Sequence, residues 1–254
     1  MRWQAIGLVV LAAAVAVAAG VAHAAPSKQS VWVVLIDRSL DSTLATRHDG
    51  VQEIDLAADA GVKAKGRLYA DGFAENALSR LTFRISADFS KKPPGYKGDN
   101  PKLLGLAREA QITGLVALGS TLLLKNLGER GSDVIGALLA VAEGPLAEAA
   151  HGRVLIVLDS NMLVYSRDDG LFFTDSVPTN LVRVLNRLAA RGRIPKLGGA
   201  CVLVTGAGKL HDNSIQSTRF LAVERFWRAY FGRAHAKLVG WLPRAPSHLH
   251  PPCA

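Results

Sequence analysis

Strand-length apolar runs recur at residues 31–36, 81–89, 154–158, 201–205 and 237–241, and helix-patterned segments fill several of the intervals. Strands that alternate with helices predict an α/β fold in three layers, with a mainly parallel central sheet and helices on both faces. Within residues 81–89, Leu81, Phe83, Ile85, Ala87 and Phe89 largely alternate with polar positions. That is the pattern of a strand with one wet face, and it suits a sheet edge. The clearest helix covers residues 178–191: Leu181, Val182, Leu185, Leu188 and Ala189 recur at three and four, Pro178 suits the first turn, and Gly192 follows the end. A second is predicted over residues 215–231, with Phe220, Trp227 and Phe231 sharing a face as core aromatics.

Other segments break the pattern. Residues 91–101 carry four prolines and glycines before the closing Asp-Asn-Pro, three lysines and Tyr96, and they read as an exposed loop, either a connector or a basic binding loop. Residues 115–124 are the most apolar stretch of the later chain, but Gly119, Ser120 and the nearby Lys125 make them a core helix at most, not a membrane span. Residues 244–254, rich in proline, read as a loosely ordered tail.

Residues 1–24 read as an address. Arg2 supplies a positive start, Ile6 to Ala22 an apolar stretch, and Ala22-His23-Ala24 the small residues of a cleavage point, the anatomy of a secretory signal peptide. Export to the periplasm or the exterior follows, with Ala25 as the mature amino terminus and no transmembrane segment in the mature chain. The remainder suffices for one large α/β domain, residues 30–243. The formal net charge of +9 favours an anionic neighbour such as cell-wall polymer, lipid head groups or an acidic protein. Lys and Arg are scattered and no nucleic-acid motif occurs, so nucleic acid is not an expected partner. Cys201 and Cys253 are the only cysteines. Export permits a bridge from tail to core, and a buried free thiol at Cys201 is the other reading.

Three separated segments carry the candidate chemistry. Asp37-Arg38-Ser39-Leu40-Asp41 closes the first apolar run, Gly131-Ser132-Asp133-Val134-Ile135-Gly136-Ala137-Leu138 opens a helix-like stretch, and Asp159 closes the run 154–158. An acidic residue at the end of a buried strand lies where open α/β sheets present ligands, beyond the strand carboxyl ends. Together the segments resemble the three loops that hold a divalent cation in von Willebrand factor A domains. Asp37 and Ser39 match the first two positions of that family's Asp-x-Ser-x-Ser loop, with Asp41 in the third place instead of Ser. Ser132 stands where the family has Thr, and Asp159 matches the third loop, followed by Ser160 where Gly is common. The resemblance implies a cation, Mg²⁺ or else Mn²⁺ or Ca²⁺, held by Asp37, Ser39, Asp41, Ser132 and Asp159. An acidic side chain from a partner would complete its shell.

That implies an exported binding or scaffolding module at the bacterial cell envelope, engaging a protein or an anionic envelope component. Two other readings stand beside it: a metal-dependent envelope hydrolase, for which no general base can be named, and a metal-free structural subunit of a secretion or conjugation assembly. Further motifs fail. Gly206-Ala207-Gly208-Lys209 lacks the glycine and the hydroxyl residue of a phosphate loop. Asp37 stands where a dinucleotide fold needs its glycine-rich turn. His248, His250 and Cys253 offer no fourth metal ligand. Ser120 lacks the nucleophile elbow.

Overall fold

The computed structural model describes residues 29–149, 152–173, 176–209, 217–249 and 251–253; the signal segment predicted at residues 1–24 lies outside them, as do His151, His211 and His250. The elements, in chain order, are β1 (Ser30–Asp37), α1 (Leu44–Ala64), β2 (Arg67–Phe73), α2 (Ala77–Arg80), β3 (Ile85–Asp88), α3 (Pro101–Leu123), α4 (Val134–Glu143), α5 (Pro145–Ala149), β4 (Arg153–Asp159), β5 (Tyr165–Ser166), β6 (Leu171–Phe172), α6 (Leu181–Ala190), β7 (Cys201–Thr205), α7 (Ser217–Arg233) and β8 (Lys237–Trp241). Six strands form one sheet in the order β3-β2-β1-β4-β7-β8, parallel throughout except for β3, which runs antiparallel to β2 at the edge. The expected α/β fold with a mainly parallel central sheet between helical layers is therefore present. Winding starts at the centre and goes outward both ways, so the sheet has a switch point between β1 and β4.

Alternation along the strands divides the core. Val31, Val33, Leu35, Ile156, Leu158, Val202 and Val204 face α4, α6 and α7, where Trp227, Tyr230 and Phe231 are fully buried. The aromatics predicted on this last helix are thus core, with Phe220 only half-buried. Trp32, Val34, Ile36, Leu155, Val157, Cys201 and Leu203 face the other way, against Ile54, Ala57 and Ala58 of α1. Helix α3 packs on α1, and at Gly119 an added Cβ would stand 3.1 Å from Ile54 Cδ1.

Several expectations need correction. The strand expected at 81–89 shrinks to Ile85–Asp88, because Phe83 sits at φ 51°, outside the extended region that a strand requires. Helix α6 begins three residues late. Asn180 is its N-cap, accepting from the Arg183 amide at 3.0 Å, so Pro178 precedes the helix, and Val182, assigned to the apolar face, is 72 % exposed. Residues 115–124 belong to α3, a 23-residue helix of which only Gly119 and Leu123 are buried. It is not a core helix. Asn100 caps it, accepting from the Lys102 amide at 2.9 Å, and Pro101 takes the first turn. Residues 91–100 do form an exposed loop, tied by Lys92 to Asp99 and by the Tyr96 hydroxyl to the Asn100 carbonyl.

The proline-rich tail is not loose. Cys253 is disulfide-bonded to Cys201, with Cα atoms 5.2 Å apart, and its carbonyl accepts from the Val154 amide at 3.1 Å in an antiparallel bridge. Leu249 and Cys253 pack beside Val239 and Leu242 on the α1 face of the sheet. There the tail adds cover over β7 and β8.

Candidate metal centre

The two central strands end side by side, in parallel register with Ile36 opposite Asp159. Asp37, one residue further along β1, is fully buried. Its Oδ2 accepts from Ser132 Oγ and from Ser160 Oγ, both at 2.9 Å, and its Oδ1 accepts from the Ser39 amide at 2.9 Å. Burial raises the Asp37 pKa above the ordinary carboxyl value, and these hydrogen bonds oppose the rise. Loops one and two of the sequence pattern therefore meet at this carboxylate.

Loop two is held firmly. Asp133 caps α4, its Oδ1 accepting from the Gly136 amide at 2.8 Å and its Oδ2 from the Ala77 amide at 3.1 Å, while Arg193 approaches to 3.3 Å. Ser132 is fixed as the residue just before that cap. Loop three is held by Trp227 of α7, whose Nε1 donates to the Met162 carbonyl at 3.0 Å across a left-handed residue, φ 63°.

Asp159 points to the opposite face from Asp37, as strand alternation requires. It is fully buried against α1, and neither of its carboxyl oxygens has a hydrogen-bond partner among the described residues. The space is made by two glycines. A Cβ at Gly50 would stand 2.5 Å from Oδ2, and one at Gly206 would stand 2.9 Å from Oδ1. One turn along α1, Glu53 is also fully buried, with no hydrogen bond of ordinary geometry to its oxygens among the described residues. Burial pushes Glu53 up to about 8, the Thr205 hydroxyl opposing and the charge of Asp49 adding to it. Asp159 is raised well above the ordinary value, first by burial and then by the charges of Glu53, Asp49 and Asp37, with Lys209 pulling the other way. Lys209, in the glycine-rich turn rejected as a phosphate loop, is paired with Asp49 at 3.2 Å.

Ser39 is buried and its hydroxyl has no partner among the described residues. Asp41 stands differently. It lies half-buried in the turn closed by the Ser42 amide on the Ser39 carbonyl, and no hydrogen bond or ion pair among the described residues ties it to Asp37, Ser132 or Asp159. Of the five residues expected as ligands, the fold joins Asp37 to Ser132 and to the Ser39 backbone and sets Asp159 on the neighbouring strand end. Asp41 remains at the rim.

Three site residues went unrecognised in the sequence. Ser160 follows Asp159 directly, at a position where the family pattern commonly has glycine. Glu53 falls on the buried face of α1 with Gly50, Ile54 and Ala57, so a carboxylate at core spacing was the available signal. Arg47 is buried too, donating to the Leu124 carbonyl at 2.7 Å and the Ser42 carbonyl at 2.6 Å. Burial lowers its pKa, and the charges of Asp37 and Asp159 oppose that.

The donors are carboxylate and hydroxyl oxygens, the chemistry that suits a hard divalent cation with retained waters. Among the described residues no group of three or more His, Cys, Asp or Glu is gathered to bind metal, so such an ion would rely on the serines as much as on the acids. The orphaned oxygens of Asp159 and Ser39 fit that role, because a buried acceptor without a partner costs about 1–3 kcal/mol. No protein-family model matches the chain, and no curated protein matches it in sequence.

Proposed function

We propose that the crevice at the ends of β1 and β4 is a divalent-cation site of the von Willebrand factor A kind. The chain would act as an exported binding or scaffolding module at the cell envelope. The observation that carries this reading is the pair of Asp159 oxygens, without a partner among the described residues and buried next to a strand end where Asp37 and Ser132 are already joined. Asp37, Ser39 and Ser132 would hold Mg²⁺ or Mn²⁺ at the end of β1, with Asp159, whose carboxyl is on the α1 face, joining through a retained water and Asp41 available from the rim. The cation would supply Lewis acidity and an open position for a carboxylate of the partner. The winding of the sheet supports the assignment, since crevices at a switch point are where such sheets take ligands. The Cys201–Cys253 bridge and the basic chain suit an oxidising compartment with anionic neighbours.

The experiment is a melting curve with and without millimolar Mg²⁺ or Mn²⁺, because a ligand of the folded state raises the melting temperature by mass action. The wild type should shift upward and Asp159→Ala should not. Capture of an envelope partner should then be lost in chelator.

One observation favours a second reading, the metal-free structural subunit. Asp37 already accepts three hydrogen bonds, and Arg47 places a resident positive charge toward Asp37 and Asp159. A wild-type melting curve indifferent to cations would select it.

A further inference from the structure

Helix α3 is apolar on two sides. The inward side, with Ile112, Leu115 and Leu122, packs on the core. The outward side presents Leu103, Leu106, Ala110, Gly114, Ala117 and Leu118 at helical spacing, all exposed, with Leu103 at 53 % and Leu106 at 61 %. Between Ala110 and Leu123 the helix carries no charged residue. Gly105 and Gly114 have no packing reason among the described residues, since a Cβ at either would meet nothing within 4 Å. Each costs about 1 kcal/mol of helix stability relative to alanine. A solvated helix face is ordinarily polar. This one is built for cover.

Charge selects what covers it. Lys97 and Lys102 stand exposed at the start of the helix and Lys125 just past its end, and none of the three makes an ion pair among the described residues. Lys91 and Lys92, at the same end, are paired with Asp88 and Asp99 and add no free charge. A second copy of the chain is disfavoured, because an antiparallel α3 pair would set Lys102 against the other copy's Lys125 end, and a parallel pair would set like ends together. An anionic surface instead meets both lysine groups at once. No described helix is long and apolar enough to cross a membrane, and the charges at Lys102, Arg108 and Glu109 keep α3 from doing so. We propose that α3 lies in the plane of an anionic phospholipid surface, its leucines sunk among the acyl chains and the lysines at the head groups. This surface is separate from the crevice and stands or falls without it.

The test is flotation of the exported protein with vesicles of phosphatidylcholine, alone or mixed with phosphatidylglycerol. Binding should require phosphatidylglycerol and weaken with salt. The double variant Leu103→Glu/Leu106→Glu should lower it about tenfold or more, with an unchanged melting temperature because both side chains are already exposed. Lys97→Ala and Lys102→Ala should each lower it about fivefold. As a direct reading of position, the emission of a Leu106→Trp variant should be quenched by brominated phosphatidylglycerol. Flotation that survives in the leucine variant, or an unquenched tryptophan, overturns the proposal. So does a wild-type dimer that Leu106→Glu converts to monomer, which would give the face to a second copy.

Discussion

Ser160 Oγ donates to Asp37 Oδ2 at 2.9 Å and accepts from the Met162 amide at 3.0 Å. The third loop thus reaches the first through a serine, not through the aspartate before it. The cause is register. Ile36 is opposite Asp159, so the next rung sets Ser160 beside Asp37 and leaves the Asp159 carboxyl on the α1 face.

Ser160→Ala removes one bond to a buried carboxylate and strips an acceptor from a buried amide. It should cost about 1–3 kcal/mol in urea denaturation. Ser160→Thr, which keeps the hydroxyl, should recover part of the loss. Equal losses in both would mean that volume, not hydrogen bonding, matters at this position.

Stability should fall as pH rises through the neutral range. Glu53 is raised from 4.5 to about 8, so across that window the folded chain keeps a proton that the unfolded chain releases. One such group lowers stability by roughly 1.4 kcal/mol per pH unit there, and the decline flattens above about 8. Asp159 is shifted the same way and adds to the slope. Glu53→Gln should be more stable than the wild type at alkaline pH, with a shallower profile. A wild type that gains stability over this interval would refute the assignment.

Cation binding should strengthen with pH for the same reason, since Asp37 and Asp159 must shed protons to act as ligands. Calorimetry in two buffers of different ionisation enthalpy should register proton release on Mg²⁺ addition. Gly50→Ala, whose Cβ would press on Asp159 Oδ2, should abolish that signal and destabilise the fold by about 1–3 kcal/mol. Proton-neutral binding in the wild type would count against both carboxyls as ligands.

Cys253→Ser releases the tail from β7. Closing a loop between positions 52 apart is worth about 4 kcal/mol by chain entropy, or roughly 8–16 °C in melting temperature for a chain of this size. A reductant should bring the wild type to the same value. A variant that melts with the wild type would show that the bridge contributes nothing.

What could be read in the sequence is what announces itself locally. β1, β4, β7 and β8 are apolar runs, and a carboxylate closing such a run is conspicuous, so Asp37 and Asp159 were found with them. β2 was missed because Asp71 and Gly72 interrupt it. Asp71 is a buried partner of Arg84, and a side chain at Gly72 would collide with Arg38. Neither reason can be seen from β2 alone. Of helix α3 the sequence marks only residues 115–124, because apolar residues on both its faces erase the period by which helices are recognised. Asp41 matched a pattern position in sequence but sits on a turn whose geometry only the folded loop decides.

The pinned tail sets where the chain's two described ends emerge. Ser30 is opposite Arg153, and Cys253 bridges to Val154, so both ends leave beside the first residues of β4. At about 3.3 Å per residue, that is roughly 20 Å from the carboxylates at the strand's far end. The described ends and the candidate site thus fall at opposite ends of β4. A label or carrier joined beyond Cys253 would stand at the end of the sheet away from Asp37 and Asp159.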